Sequence, residues 1–337
     1  MTQRLEYIDQ LRGLAMLLVI IGHVIVFCGL GYDNSFIRNI TMMNMPLFFF
    51  LNGLVISENM RLKGLLRKTG QLLFPFFSWG VLIVFYRNST FLDFLFDYWK
   101  YGYWYLLVLL EFFIVQMGLN CINWLINRKK RWWIEAVIFL FVYQILRFTV
   151  HLIPDEINGL IDYWQLIAYF PYFFLGGFIK RHLLIDKILN HGNLIITIAL
   201  LLLIPLYALW YHEKYMGIVQ IVLPIDIILL LLMIFSLSDI ESRVISQSER
   251  VDLVIKLKSQ LSKIGRHTLV IYMMQFFLYR FIDLKGLFPV LYEDHNYFAI
   301  LFISTLIAIL ISYLCISVEW ILMKSKLLSF LLLGKNI

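Results

Sequence analysis

The sequence predicts an all-α integral membrane protein with about ten transmembrane helices and both termini in the cytoplasm. Of its 337 residues, 61% are hydrophobic and 15% are charged, and the mean hydropathy is +0.81. An ordinary soluble domain carries roughly 25% charged residues. A soluble chain of this size would need far more polar surface to cover its core. Soluble enzymes, disordered chains and secreted disulfide scaffolds are therefore excluded.

The predicted helix count comes from the length of the apolar runs. A helix needs roughly 20 mostly apolar residues to cross the hydrocarbon core of a membrane. Ten stretches meet this requirement, at about 11–29, 42–58, 70–87, 103–126, 132–150, 164–180, 193–211, 216–236, 266–284 and 297–323.

The predicted orientation comes from the distribution of lysine and arginine. With the N-terminus placed in the cytoplasm, 22 of the 29 Lys and Arg residues fall in cytoplasmic segments. Such an excess is the usual signal for the cytoplasmic side of a membrane protein. The net charge of +7 is thus spread over short loops, which argues against a nucleic-acid partner.

The chain is predicted to form a single domain over 1–337, with 238–263 as a cytoplasmic connector within it. The connector is either a mobile segment or a short amphipathic helix. The apolar positions of that helix are Val251, Val254, Ile255 and Leu261. The three cysteines lie far apart inside apolar runs, so we expect neither a disulfide framework nor a metal site.

The first predicted span contains ionisable residues, which are expensive in a membrane and are functional candidates for that reason. In the run IDQLRGLAMLLVIIGH, Arg12 and His23 are 11 residues apart. That spacing returns to within about 20° of the same helix face, roughly 16 Å further along the axis. Asp9 lies one turn before Arg12 on the same stripe. The alternatives are a topology-fixing ion pair for Asp9 and Arg12, and an interhelical hydrogen bond for His23.

Glu111 in the fourth predicted span is expected at the same membrane depth as His23. It lies about 12 Å below the outer surface, and His23 lies about 18 Å above the inner surface of a core of roughly 30 Å. A carboxylate beside an imidazole fixes its tautomer and stabilises the imidazolium, which makes a general-base unit. Alternatively, Glu111 pairs with Gln275 or with a tyrosine hydroxyl.

Other polar residues near the spans allow two interpretations each. Asn52 and Gln275 are either hydrogen-bonding residues between helices or parts of a site. Arg67 and Lys68 stand at the cytoplasmic mouth of the third span, where they either hold phosphates or only fix topology.

Several segments resemble a known family in their order along the chain. RLEYIDQLRGLAMLLVIIGH resembles the opening of acyltransferase family 3, the multi-span membrane O-acyltransferases of bacteria, whose mark is an Arg and a His separated by ten residues. Arg12 and His23 match that mark. Five later segments of this chain are similar to motifs that follow in the same order in the family. They are MPLFFFLNGLVI, LLRKTGQLLFPFF, YWYLLVLLEFF, YFPYFFLGGFIKR and LSKIGRHTLVIYMMQ. The chain departs from the family at Asn52, where Ser is usual, and at Gln275, where His is common.

The resemblance implies transfer of an acyl group, usually acetyl, from cytoplasmic acyl-CoA to a hydroxyl. Acceptors in the family are mostly sugars of surface glycans or glycolipids, and its members include proteins compared with fucose 4-O-acetylases. The implied location is the bacterial cytoplasmic (inner) membrane. The implied partners are acetyl-CoA or another acyl-CoA, a carbohydrate or glycolipid acceptor, and membrane lipids, with no tightly bound cofactor.

These expectations assign roles to individual residues. His23 and Glu111 are the expected catalytic pair, and the attack is either direct or through an acyl group carried by His23. The expected donor-binding residues are Asp9, Arg12, Arg67 and Lys68. The expected acceptor-binding residues are Asn52, Tyr103, Trp104, Tyr105, Tyr272 and Gln275. The alternative function is a proton-coupled transporter or flippase of a glycolipid or small molecule, which also uses buried His and Glu.

Overall fold

The computed structural model of the protein describes residues 6–31, 34–56, 62–126, 131–212, 216–244 and 249–335. The described residues form α-helices, three short 3-10 helices and turns, with no β-strand among them. This confirms the predicted all-α class. The α-helices are α1 Glu6–Phe27, α2 Ser35–Thr41, α3 Asn44–Val55, α4 Leu62–Arg87, α5 Phe91–Phe96, α6 Trp104–Ile126, α7 Trp132–Thr149, α8 Asp155–Ile161, α9 Tyr163–Arg181, α10 Leu184–Asn190, α11 Gly192–Tyr211, α12 Met216–Val244, α13 Glu249–Arg266, α14 Thr268–Leu278, α15 Phe288–Glu293, α16 Tyr297–Leu322 and α17 Lys326–Leu333. The 3-10 helices are Lys100–Gly102, Val150–Leu152 and Tyr279–Phe281.

Within the described residues, seven helical segments are long and apolar enough to cross a membrane. They are Glu6–Phe27, Leu62–Arg87, Trp104–Ile126, Trp132–Leu152, Gly192–Tyr211, Gly217–Ser236 and Tyr297–Leu322. The protein is therefore a multi-pass membrane protein. Each of these segments falls on a predicted span.

The other three predicted spans fall on helices that are shorter or less apolar. Helix α3 has 12 residues, which reach only about 18 Å of a core of roughly 30 Å. Helix α14 has 11 residues and continues into a 3-10 turn. Helix α9 has 19 residues, but Gln165, Pro171 and several tyrosines lower its hydropathy. The count of ten spans stays a prediction.

The chain divides into two compact units. The first unit comprises Met1–Asn52 and Ile179–Val318, and the second comprises Gly53–Phe178 and Glu319–Ile337. Helix α1 lies at the centre of the first unit, where it packs against α2, α12, α13 and α14. Its apolar side chains are buried on most of its circumference, as a central helix requires.

Two glycines bring α1 and α13 into backbone contact in the first unit. A Cβ atom at Gly13 would overlap the carbonyl oxygen of Leu261, and one at Gly265 would overlap the carbonyl oxygen of Asp9. Small residues at such points let two helices approach closely. The end of α13 is therefore held against the first turns of α1.

Helix α13 also covers much of the predicted connector at 238–263. Helix α12 continues to Val244, residues 245–248 lie outside the described part, and residues 249–266 are helical. Of the predicted apolar positions, Val254 and Ile255 are exposed and Leu261 is half-buried. The side chain of Val251 lies outside the described part.

The second unit is built around α4 and α6, with an aromatic core. Helix α17 packs on α4, where the Trp79 indole Nε1 donates a hydrogen bond of 2.9 Å to the carbonyl of Leu332. The Phe112 ring of α6 contacts Phe173 of α9 with ring centroids 5.2 Å apart. These contacts fix the face that α6 presents within this unit.

Candidate active site

His23 lies in the second half of α1 and is half-buried. Its imidazole meets the edge of the Phe276 ring, with centroids 5.2 Å apart, and is tilted against Tyr279 at 6.0 Å. Phe27, one turn later on α1, stacks on Tyr279 at 4.8 Å. The imidazole therefore packs against one ring from the end of α14 and one from the 3-10 turn that follows it.

A buried hydrogen-bond chain fixes these rings. The Tyr279 hydroxyl donates to Gln275 Oε1 at 2.6 Å, and Gln275 Nε2 donates to the carbonyl of Tyr272 at 3.2 Å. Gln275 is fully buried and Tyr279 almost so. Buried polar groups in such a chain hold one arrangement, because breaking it leaves an unsatisfied atom. Gln275 thus supports the ring that touches His23.

The predicted donor residues of α1 lie at its other end. Asp9 is buried and Arg12 is half-buried, beside the backbone contact that Gly265 makes with α1. Helix α1 is continuous from Glu6 to Phe27, so the 11-residue spacing of Arg12 and His23 gives the expected separation of roughly 16 Å.

Asn52 lies on α3 and is the last residue of that helix in the first unit. Its Nδ2 donates to the carbonyl of Phe48 at 2.8 Å, one turn back on the same helix. One hydrogen of the amide is therefore already used within the helix. The side chain is half-buried.

Glu111 lies on α6 in the second unit and is half-buried. Within its unit, its Oε2 is buried and has no hydrogen-bond partner among the described residues. A buried carboxyl oxygen without a hydrogen-bond partner is costly.

Lys100 and Asp162 form a fully buried ion pair in the same unit. The Lys100 Nζ lies 3.1 Å from Asp162 Oδ1 and donates to the carbonyls of Asp97, at 2.9 Å, and Gly159. Lys100 and Asp162 both have positive φ, at 45° and 47°. Such a conformation is strained for residues other than glycine, and it persists here because the surrounding bonds hold it.

Burial raises the pKa of Asp162 to about 7, against the opposing effect of the neighbouring Lys100 ammonium. The second carboxylate oxygen, Oδ2, is buried without a hydrogen-bond partner among the described residues. Desolvation therefore outweighs the ion pair at this carboxylate.

The three aromatic residues at the start of α6 differ in exposure. Tyr103 is fully buried and its ring lies 6.3 Å from Phe94. Trp104 is nearly buried and stacks on Tyr169, with centroids 5.6 Å apart. Tyr105 is half-buried. Trp99 packs edge to face with Trp104, with ring centroids 6.0 Å apart, and is 57% exposed. Its ring is therefore accessible to a ligand.

Arg67 and Lys68 lie in the first two turns of α4 in the second unit, and both are exposed. Among the described residues, no three His, Cys, Asp or Glu side chains come together in a way that could hold a metal ion.

Comparison with known families decides the affiliation of the chain. A family profile described as an acyltransferase domain matches residues 5–317. The protein belongs to acyltransferase family 3. The residues that match the acyltransferase family 3 profile include parts of both units. The prediction of one domain over 1–337 stays a prediction. No curated protein and no solved structure matches the chain.

The first unit of this acyltransferase family 3 member brings His23, Tyr272 and Gln275 into one group, through Phe276 and Tyr279. Sequence reasoning missed Phe276 and Tyr279. The available signal was spacing by one helical turn, because Phe276 follows Tyr272 by four residues and Tyr279 follows Gln275 by four residues. Lys100 and Asp162 were missed too, since a contact between residues 62 positions apart leaves no local pattern.

Proposed function

We propose that this family member is an O-acyltransferase that moves an acetyl or other acyl group from acyl-CoA to a sugar hydroxyl of a surface glycan or glycolipid. The observation that carries the proposal is the imidazole of His23, which lies far along an apolar helix and is packed by Phe276 and Tyr279. An ionisable side chain inside a membrane span indicates function. Family membership supplies the reaction class, acyl transfer.

In the proposed reaction, His23 acts as general base. It takes the proton of the acceptor hydroxyl while the hydroxyl oxygen attacks the thioester carbonyl carbon. A carbon–oxygen bond forms and the carbon–sulfur bond breaks. The proton then passes from the imidazolium to the departing thiolate, which leaves as the CoA thiol. The tetrahedral oxyanion needs hydrogen-bond donors, and Asn52 is the proposed one.

Glu111 is the proposed carboxylate partner of His23. Two observations support this role: its predicted depth along α6 and the unpartnered Oε2 within its unit. A carboxylate that stabilises the imidazolium makes the imidazole a stronger base. A double-mutant cycle of His23→Gln and Glu111→Gln tests the role, because residues that act as one unit have strongly non-additive effects on kcat.

The proposed donor site begins at Arg12. Its separation from His23 of roughly 16 Å along α1 suits an extended pantetheine arm, with the phosphates at Arg12 and the thioester at His23. Asp9 orients Arg12, and the exposed Arg67 and Lys68 of α4 are proposed to attract the phosphates.

The proposed acceptor site uses the aromatic residues at the start of α6. Trp104, Tyr105 and the exposed ring of Trp99 offer flat apolar surfaces with polar edges, which suit the face of a sugar ring. Tyr103 is buried and supports them from within. Tyr272 and Gln275 are proposed to position the hydroxyl through their contacts with the rings around His23.

The proposed topology is ten spans with both termini in the cytoplasm of a bacterium, in the cytoplasmic membrane. The placement of 22 of 29 Lys and Arg residues on one side supports it. A fluorescent protein fused after Ile337 should fluoresce, since it folds in the cytoplasm. A dark fusion with an active periplasmic phosphatase at the same position would contradict the topology.

The proposed activity is tested on the purified full chain in detergent. With acetyl-CoA labelled in the acetyl group, the wild type should transfer or hydrolyse the label, and His23→Ala should reduce kcat by about 10²–10⁴-fold. His23→Ala should unfold thermally like the wild type.

Two outcomes would overturn the proposed function. One is a wild type that neither transfers nor hydrolyses acyl groups from any acyl-CoA. The other is solute flux through vesicles that needs no CoA and is abolished by His23→Ala, which is the behaviour of a carrier. Mass spectrometry of surface glycans from cells with and without the gene identifies the acceptor through a lost acyl mass.

A further inference from the structure

The end of α13 brings a further cation to the donor end of α1. Gly265 lies so close to α1 that a Cβ atom would overlap the carbonyl oxygen of Asp9 and stand 2.9 Å from the amide nitrogen of Gly13. Arg266 follows directly, and Arg12 lies between the two contacted residues of α1. All of these residues belong to the first unit. The two guanidinium-bearing residues therefore flank one backbone contact.

Arg266 is oriented but has no anionic partner among the described residues. Its Nε donates to the carbonyl of Ser262 and its Nη2 donates to the Ser262 hydroxyl, both at 3.2 Å. Ser262 is 4% exposed, so it anchors the guanidinium from a fixed position. Arg266 itself is exposed, and its Nη1 edge is left for a ligand. A planar guanidinium held on one edge suits a phosphate on the other.

A second feature at the same place favours an anion. Helix α14 begins at Thr268, two residues after Arg266, and His267 provides no side-chain cap for it. The first amides of a helix carry a partial positive charge and bind phosphate groups. The guanidinium of Arg266 and the first amides of α14 thus lie within a few residues of each other in the chain, and the guanidinium also offsets the partial negative charge at the end of α13.

We propose that Arg266, anchored by Ser262, binds the ribose 3′-phosphate of the CoA donor. The inference rests on the proposed function, in which Arg12 takes the diphosphate. The burial of the two arginines follows the order of the phosphates along the donor. Arg12 is half-buried and Arg266 is exposed, as expected if the nucleotide end stays nearest to water.

Binding of CoA and of dephospho-CoA, which lacks the 3′-phosphate, tests the proposal by titration calorimetry on the full chain in detergent. The wild type should bind CoA about tenfold or more tightly than dephospho-CoA, the usual effect of a charge-assisted hydrogen bond. Arg266→Gln should weaken CoA binding by the same factor and leave dephospho-CoA binding unchanged. Arg266→Lys should keep part of the preference.

Lys263 provides the matched control, one turn from Arg266 on the same helix. Its Nζ lies over the ring of Tyr313, 5.1 Å from the centroid, so Lys263→Gln removes an equal charge that is directed elsewhere. Lys263→Gln should keep the wild-type preference for CoA. Equal weakening of both ligands by Arg266→Gln, or no weakening, would overturn the proposal.

The phosphate of an anionic lipid is the competing source of the same chemistry. The titration is therefore repeated in micelles with phosphatidylglycerol. An Arg266→Gln effect that appears only with this lipid, or that is equal for both nucleotides, would assign the site to lipid and overturn the proposal. Because titration measures binding alone, its outcome is independent of whether acyl transfer is observed.

Discussion

Individual buried charges join two segments of the second unit at a point that hydropathy alone could not reveal. Lys100 joins the segment before α6 to the segment around α8, through Asp97, Gly159 and Asp162. Both members of its ion pair are fully buried. Removing one member of such a pair leaves an uncompensated charge, which costs about 3–5 kcal/mol. We therefore expect this pair to fix the position of the segment that leads into α6.

Replacing Lys100 with Met should lower the unfolding temperature, and more so at pH 8 than at pH 5. Burial raises the pKa of Asp162 to about 7, above the roughly 3.9 of an unfolded chain. Between these values the folded state binds the extra proton, so stability is lost as the pH rises through this range. Without Lys100 the ionised carboxylate is less favourable still. Thermal unfolding in detergent at both pH values measures the difference.

The double variant Lys100→Met with Asp162→Asn is the control for this effect. It should recover part of the lost stability and show a smaller difference between pH 5 and pH 8. An equal loss at both pH values in the single variant would show that the ionisation of Asp162 is not involved.

Among the helices, the contact between α1 and α13 has the greatest consequence for the site. Helix α1 carries both Arg12 and His23, and α13 is held against it by backbone contacts at Gly13 and Gly265. Helix α14, which follows α13, and the 3-10 turn after it carry Phe276 and Tyr279, whose rings contact His23. The packing of α1 against α13 thus affects the positions of both His23, the proposed base, and Arg12, the proposed donor-binding residue.

Gly265→Ala should destabilise the protein, because its methyl group has no room against Asp9. Overpacking of this kind costs about 1–3 kcal/mol. Gly118→Ala on α6 is the matched control, since a Cβ atom there meets nothing within 4 Å, and Ala is favoured over Gly in a helix by about 1 kcal/mol. Chemical or thermal unfolding in detergent compares the two. If Gly265→Ala is as stable as Gly118→Ala, the close contact of the helices is wrong.

At the scale of the whole molecule, many large apolar side chains are exposed on the surface. Helix α11 exposes large apolar side chains, with Leu201 at 70% and Ile204 at 77%. Large apolar side chains as exposed as these indicate contact with a membrane rather than with water. The same surface explains why the composition holds so few charged residues.

Leu201→Asp should reduce membrane insertion, because an acidic residue near the centre of a spanning helix costs about 2.5–3.5 kcal/mol. The fraction of protein that resists carbonate extraction measures insertion. Leu201→Ile is the control and should insert like the wild type. Normal insertion of Leu201→Asp would mean that this face of α11 does not contact hydrocarbon.

Much of this architecture follows from local composition. Mean hydropathy over a window depends only on the residues in that window, so the long apolar helices of the described residues and the all-α class can be predicted directly. The 11-residue spacing of Arg12 and His23 keeps its meaning because α1 is continuous. Family affiliation was also readable, since it depends on the order of motifs, and the profile match confirms it.

Local composition did not give the lengths of α3 and α14, because a short helix joined to turns has the same average hydropathy as a longer helix. The contact of Tyr279 with Gln275 and His23 depends on which face α14 turns toward α1. The pairing of Lys100 with Asp162 depends on two segments meeting in space. The amino-acid sequence specified the membrane class, the family and the spacing of groups along α1, because these depend on neighbouring residues. Folding alone decided which distant side chains meet, because such contacts arise from packing between segments and have no local signature.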